Sequence, residues 1–157
     1  MGGGCYHGPV RRALRLLLAP RLATTPRFRL RLAARLTGAV VARFHARATP
    51  PTMAQLAEEV GVMAPVVRRM IEFLVAQRLL LETPVEGDTG FVPGPDPERL
   101  TVADLARALW QAEGVEPQIA TGAMDDALTP LLERAESASQ EALGSVALED
   151  LTGQTAR

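Results

Sequence analysis

The chain has 157 residues, a size typical of one domain, and 47% of them are hydrophobic, which is enough to fill a core. Aromatic residues make up only 4%, and all 17 basic residues are arginine. Alanine and leucine are abundant, so the composition favours helices over strands. The single cysteine, Cys5, excludes an internal disulfide and a zinc or iron–sulfur site built from cysteines. We therefore expect a mainly α protein of a reducing compartment.

The net charge of −1 conceals an uneven distribution of charge along the chain. Residues 1–50 contain ten arginines and no acidic residue, whereas all 18 acidic residues come later. A basic segment of this kind can lie on nucleic acid, on an anionic membrane surface, or on the acidic half of the protein itself. The charge distribution alone leaves these three partners open.

Residues 1–25 are predicted to form a basic, partly disordered leader that contains a short amphipathic helix interrupted at Pro20. Its apolar run is too short for a signal peptide. No apolar stretch approaches the roughly 18 to 20 residues that span a bilayer. We expect the chain in the cytoplasm, with the inner face of the membrane as an alternative location.

Periodic apolar residues predict a long amphipathic helix over residues 26–46. Its stripe consists of Phe28, Leu32, Leu36, Val40 and Phe44. Thr52 and Gln55 then have the spacing of a capping box, which predicts a short helix over residues 53–59.

The next helix is predicted over residues 65–77. Gly61 precedes it where a tight turn needs a residue that tolerates positive φ, and Pro65 suits a first helical turn. Two helices joined in this way predict a helix-turn-helix. Arg68 and Arg69 are expected on its solvent side.

A β-hairpin is predicted next, with extended residues 79–83 and 90–92 on either side of a turn at residues 86–88. Thr101 and Asp104 then offer another N-cap before a fourth helix. Helix, short helix, turn, helix and hairpin are the elements of a winged helix-turn-helix, a mainly α fold with a small β-hairpin.

The sequence therefore predicts three segments: the leader, a winged helix-turn-helix domain over residues 26–112, and a linker with a C-terminal helix over residues 113–157. The last helix is expected over residues 129–143, followed by a short helix or hook that docks on an apolar surface. The residues expected to face inward on the last helix are Leu131, Leu132, Ala135, Ala138 and Leu143, and those of the hook are Val146, Leu148 and Leu151.

Arg68 and Arg69 are the candidate nucleic-acid-binding residues, because a DNA reader needs cations near phosphates and donors near base edges. Glu72 shares their helix, and the predicted hairpin carries three more acidic residues, Glu82, Glu86 and Asp88. An acidic wing repels phosphate, so DNA is disfavoured as the partner.

No catalytic, cofactor-binding or metal-binding residues are predicted. His45 lies next to Phe44 near a helix end, where it suits an interaction with the helix dipole better than the role of a catalytic base. The acidic pairs at residues 125–126 and 149–150 suit the first turns of helices better than metal binding. We expect a protein that is not an enzyme.

The segments PPTMAQLAEEVGVMAPVVRRMIEFLVAQRLLLE and GFVPGPDPERLTVADLARAL resemble the cytosolic C-terminal region of the YihY/BrkB membrane proteins. The resemblance covers roughly residues 27–112 and includes a T-x-x-x-L-A helix, a G-(Y/F)-x-P wing and a D-P-x-x-(I/L)-T-x-A-D helix entry. It implies a noncatalytic winged-helix interaction module without the transmembrane part. Its implied partner is another protein or the inner face of a membrane protein.

A rival resemblance is to the IscR-type winged-helix regulators, which share a wing followed by an (I/L)-T-x-A-D helix entry. Members with an iron–sulfur cluster have three cysteines after this helix, and this region has none. The rival resemblance implies a DNA-binding transcription regulator without a cluster. In that reading Arg68 and Arg69 contact DNA, and the helix over residues 129–143 forms a homodimer.

Overall fold

The computed structural model describes residues 25–112 and 122–153, which form six helices and one antiparallel hairpin. In chain order they are α1 (Pro26–His45), α2 (Met53–Val60), α3 (Ala64–Ala76), β1 (Leu80–Val85), β2 (Asp88–Pro93), α4 (Val102–Gln111), α5 (Ala123–Gly144) and α6 (Leu148–Gly153). The predicted mainly α fold with a small hairpin is confirmed. The predictions for the leader before Thr25 and for the linker at 113–121 lie outside the described residues.

Helix α1 provides the central face of the core. The side chain of Thr25 accepts a hydrogen bond from the N–H of Phe28 at 3.3 Å and caps the helix, and the middle of the predicted stripe is buried. Phe44 was expected to face inward, but it is 51% exposed. The reason is that the last turn of α1 lies beside an open pocket that Phe44 lines together with Pro50 and Phe91.

Helices α2 and α3 form the predicted helix-turn-helix. Thr52 and Gln55 make the expected capping box, in which each side chain accepts a hydrogen bond from the other residue's backbone N–H. Gly61 has φ +67°, a left-handed conformation that favours glycine, and it ends α2. Helix α3 then buries Val67, Met70, Ile71 and Leu74 against the core.

The hairpin is the wing of the fold, and it is attached directly to the helix-turn-helix. Its strands are joined by the two-residue turn of Glu86 and Gly87, which have φ +46° and +84°. The N–H of Phe91 donates to the carbonyl oxygen of Pro51 at 3.0 Å, just before the start of α2. Phe91 itself is buried in the core. The wing therefore has a set position relative to the two helices beside it.

The end of the described chain returns to the core. Thr101 and Asp104 form the predicted cap of α4. The N–H of Leu148 donates to the carbonyl oxygen of Leu100 at 3.0 Å, and the Leu148 side chain is only 1% exposed. Leu151, which was expected to dock with it, is 43% exposed. Of the predicted hook, Leu148 is the residue that reaches the core.

Helix α5 differs most from its prediction. It begins at Ala123 rather than near residue 129, because Asp125 caps the N–H of Gly122 at 2.8 Å. Pro130 then lies inside the helix. The inward positions predicted for Leu131 and Leu132 are wrong within residues 25–112 and 122–153, where these side chains are 50% and 60% exposed. Ala135 and Ala138 are exposed as well, and Leu143 is half-buried. The apolar side of this helix is thus exposed within the described part of the chain.

Candidate nucleic-acid interface

The outer face of α3 carries the two arginines singled out from the sequence. Arg68, Arg69 and Glu72 are exposed, while the buried residues of the same helix hold it against the core. This division follows from the 3.6-residue period of the helix, which places Arg68 and Glu72 one turn apart on one side. The core therefore holds α3 so that its charged side chains project away from the protein.

Neither Arg68 nor Arg69 has an ion-pair partner among the described residues. Other arginines do have one: Arg43 lies 3.4 Å from Glu59, and Arg107 lies 3.3 Å from Asp104. An arginine that is exposed and unpaired keeps its full positive charge and its donors available to an anion. The structure thus leaves both predicted residues exposed and without an ion pair among the described residues.

The wing and α3 line the two sides of one open groove of about 530 Å³. Arg68 and Glu72 stand on the α3 side, and Glu82 and Asp88 stand on the wing side. The floor is apolar and includes Met53, Ile71, Val75 and Phe91. The groove is lined by three carboxylates and one guanidinium, so its net charge is negative. The sequence predicted this negative charge for the wing. The positive charge of this surface lies on α3 alone.

A second basic surface lies on α1. Arg27, Arg31 and Arg35 are spaced four residues apart, so they form one ridge on the exposed side of the helix. This ridge was not among the features predicted from the sequence. The four-residue spacing was the signal that could have identified it.

Two further features concern the described part of the chain, namely its potential metal ligands and the surroundings of His45. No group of three or more histidine, cysteine, aspartate or glutamate side chains there could hold a metal ion. His45 Nε2 lies 3.4 Å from a carboxylate oxygen of Glu149, so its neighbour is an acidic residue of α6 rather than a nucleophile. None of the helices within these residues is long and apolar enough to cross a membrane.

The fold is shared with several solved bacterial regulators. IscR from T. potens superposes with a TM-score of 0.61 at 16% identity, covering 81% of this chain and 85% of the other. CymR, the global cysteine regulator of B. subtilis, gives 0.60 at 20% identity and covers 80% of this chain and 94% of its own. CymR of Staphylococcus aureus gives 0.57 at 16% identity, with 79% and 94% covered.

No protein-family model matches the chain, and no curated protein matches its sequence. At identities of 16 to 20%, the structural likeness establishes the winged-helix fold. It agrees with the rival resemblance to IscR-type regulators, whereas the YihY/BrkB resemblance finds no support.

Proposed function

We propose that this chain is a DNA-binding winged-helix transcription regulator, in which Arg68 and Arg69 of α3 contact DNA. The observation that carries the proposal is the pair of exposed, unpaired arginines on the outer face of the second helix of a helix-turn-helix. In helix-turn-helix proteins that second helix enters the major groove. Arginine is suited to this position because its fork of donors binds phosphate or the O6 and N7 atoms of guanine.

The acidic wing is the reason that DNA was disfavoured from the sequence. The geometry favours DNA more than the sequence did, because Arg68 faces Glu82 and Asp88 across a groove without forming an ion pair with either, and Arg69 does not line that groove. Helix α3 can therefore present positive charge to DNA while the wing stays beside it. A membrane surface or a membrane protein, the other partners expected from the sequence, finds no support in the comparisons.

We further propose that the regulator is a homodimer that forms through α5. The first half of α5 carries a stripe of exposed apolar side chains at four- and three-residue spacing, namely Met124, Leu128 and Leu131, with Leu132 beside them. Its second half packs on α4, where Arg107 donates to Gln140 at 3.1 Å. A second copy of α5 would cover this stripe and would place two α3 helices for the two half-sites of a palindromic sequence.

The test of DNA binding is an electrophoretic shift with a random-sequence duplex at low salt, followed by selection of a preferred duplex from a random pool. We expect the wild-type protein to bind. On the selected duplex, Arg68→Ala and Arg69→Ala should each lower the affinity by about tenfold or more. Circular dichroism should show that both variants remain folded, since both side chains are exposed.

Arg99→Ala is the matched control. Arg99 is also exposed, but it lies outside the helix-turn-helix and faces Asp96 at 3.8 Å. This variant removes the same charge, so it should bind the selected duplex like the wild type. If the wild type fails to bind any duplex at low salt, or if all three variants lose affinity equally, the proposed function is wrong.

A further inference from the structure

The wing has no side chain that is suited to reading a minor groove. Residues 79–93 contain no Arg, Lys, His, Asn or Gln. Proteins that enter the minor groove do so with Arg, Lys, Asn or Gln, because the groove has a strongly negative potential. The hairpin instead exposes Glu82, Glu86 and Asp88, and none of them has an ion-pair partner among the described residues.

The geometry of the wing brings this negative charge to its tip. Glu86 is the first residue of the two-residue turn, and Asp88 begins β2 immediately after it. Asp88 is held in place, because its carboxylate accepts a hydrogen bond from the N–H of Thr89 at 2.7 Å. The two carboxylates therefore project from the part of the hairpin that extends farthest from its base.

We infer that Glu86 and Asp88 form a selectivity element that keeps the wing out of the minor groove and weakens binding to nonspecific DNA. The inference rests on the proposed function and deepens it. Nonspecific binding depends almost entirely on charge neutralisation at phosphates, so carboxylates at the DNA surface lower it for every sequence. The contacts that α3 makes with base edges are not weakened by these carboxylates to the same extent. Binding is thus restricted to duplexes that offer α3 a matching major groove.

Methylation interference distinguishes the two grooves in one experiment. Dimethyl sulfate methylates N7 of guanine in the major groove and N3 of adenine in the minor groove. With the duplex selected by the wild-type protein, we expect interference at guanine N7 and none at adenine N3. Interference at adenine N3 next to the site would overturn the inference and leave the proposed function intact.

Removing the charges of Glu86 and Asp88 tests the same element, because the affinity for nonspecific DNA should then rise. Glu86→Gln with Asp88→Asn keeps the size of both side chains and the oxygen that accepts from Thr89. This double variant should bind a random-sequence duplex several-fold more tightly than the wild type, with a smaller gain on the selected duplex. Glu98→Gln is the control, because Glu98 is exposed but lies outside the hairpin. It should leave both affinities unchanged.

The outcomes of these experiments distinguish the role of the wing carboxylates from DNA binding itself. Equal binding of the random duplex by the wild type and the double variant would show that the wing carboxylates do not restrict binding, and the inference would fail. The proposed function would then still be supported by any loss of affinity in Arg68→Ala. If neither the wild type nor the double variant binds DNA at low salt, the proposed function itself fails and the inference fails with it.

Discussion

The backbone N–H of Gly94 donates to the carbonyl oxygen of Leu79 at 3.0 Å, and this bond closes the base of the wing. The two residues lie immediately outside the strand pair Leu80 and Pro93. The approach is so close that a Cβ at residue 94 would overlap the carbonyl oxygen of Arg78. Only glycine fits at this point, so the base of the wing depends on a residue that has no side chain.

Gly94→Ala should therefore destabilise the protein by about 3 kcal/mol, because the added methyl group forces the backbone at the wing base to move. The measurement is urea unfolding followed by circular dichroism. Gly144→Ala is the control, since a Cβ there would make an ordinary contact of 3.9 Å with Ala103. Alanine near the end of a helix should leave stability unchanged or raise it by up to about 1 kcal/mol. Equal effects of the two variants would contradict the steric argument.

Thr37 offers a prediction of increased stability. It is fully buried in α1, and its hydroxyl oxygen has no hydrogen-bond partner within the described residues. Valine has the same shape without the hydroxyl, so Thr37→Val should stabilise the fold by about 1 kcal/mol. Thr37→Ser keeps the hydroxyl and loses the methyl group, and it should destabilise. The midpoint of thermal unfolding measures both, and a loss of stability in Thr37→Val would show that the hydroxyl has a partner.

Leu148 tests whether α6 belongs to the core. Its side chain is 1% exposed and belongs to the same buried cluster as the apolar residues of α1. Leu148→Ala should cost about 2 to 5 kcal/mol, because it leaves a cavity that the surroundings fill only in part. Leu151→Ala, three residues later and 43% exposed, should cost less than about 1 kcal/mol. Chemical denaturation measures the free energy of unfolding of both variants. If Leu148→Ala costs as little as Leu151→Ala, α6 does not belong to the core.

The apolar stripe of α5 predicts the oligomeric state. We expect the wild type to sediment as a dimer in analytical ultracentrifugation. Leu131→Glu with Leu132→Glu should sediment as a folded monomer, because two charges would be buried without partners at the interface. Leu81→Glu is the control, since Leu81 is 44% exposed but lies in the wing. This variant should remain a dimer. A monomeric wild type at high protein concentration would refute the dimer.

Local signals in the sequence were sufficient for most of the winged helix. The capping boxes at Thr52 and Thr101 and the left-handed Gly61 depend on residues three positions apart or on a single φ angle, so they can be recognised without the fold. The outward position of Arg68 followed from the same helical period that buries Met70 and Ile71. These features need no knowledge of distant contacts.

The sequence by itself determined the elements of the winged helix, the hairpin turn, the charged outer face of α3 and the acidic wing. Only the tertiary structure decided which surfaces those elements contact and which they leave exposed. It left Leu131 and Leu132 exposed among the described residues, because an amphipathic pattern shows that a face is apolar but not what covers it. It also placed Arg68 across a groove from Asp88, which lies twenty positions later in the chain. The proximity of two residues so far apart in sequence depends on how α3 and the wing pack on one core.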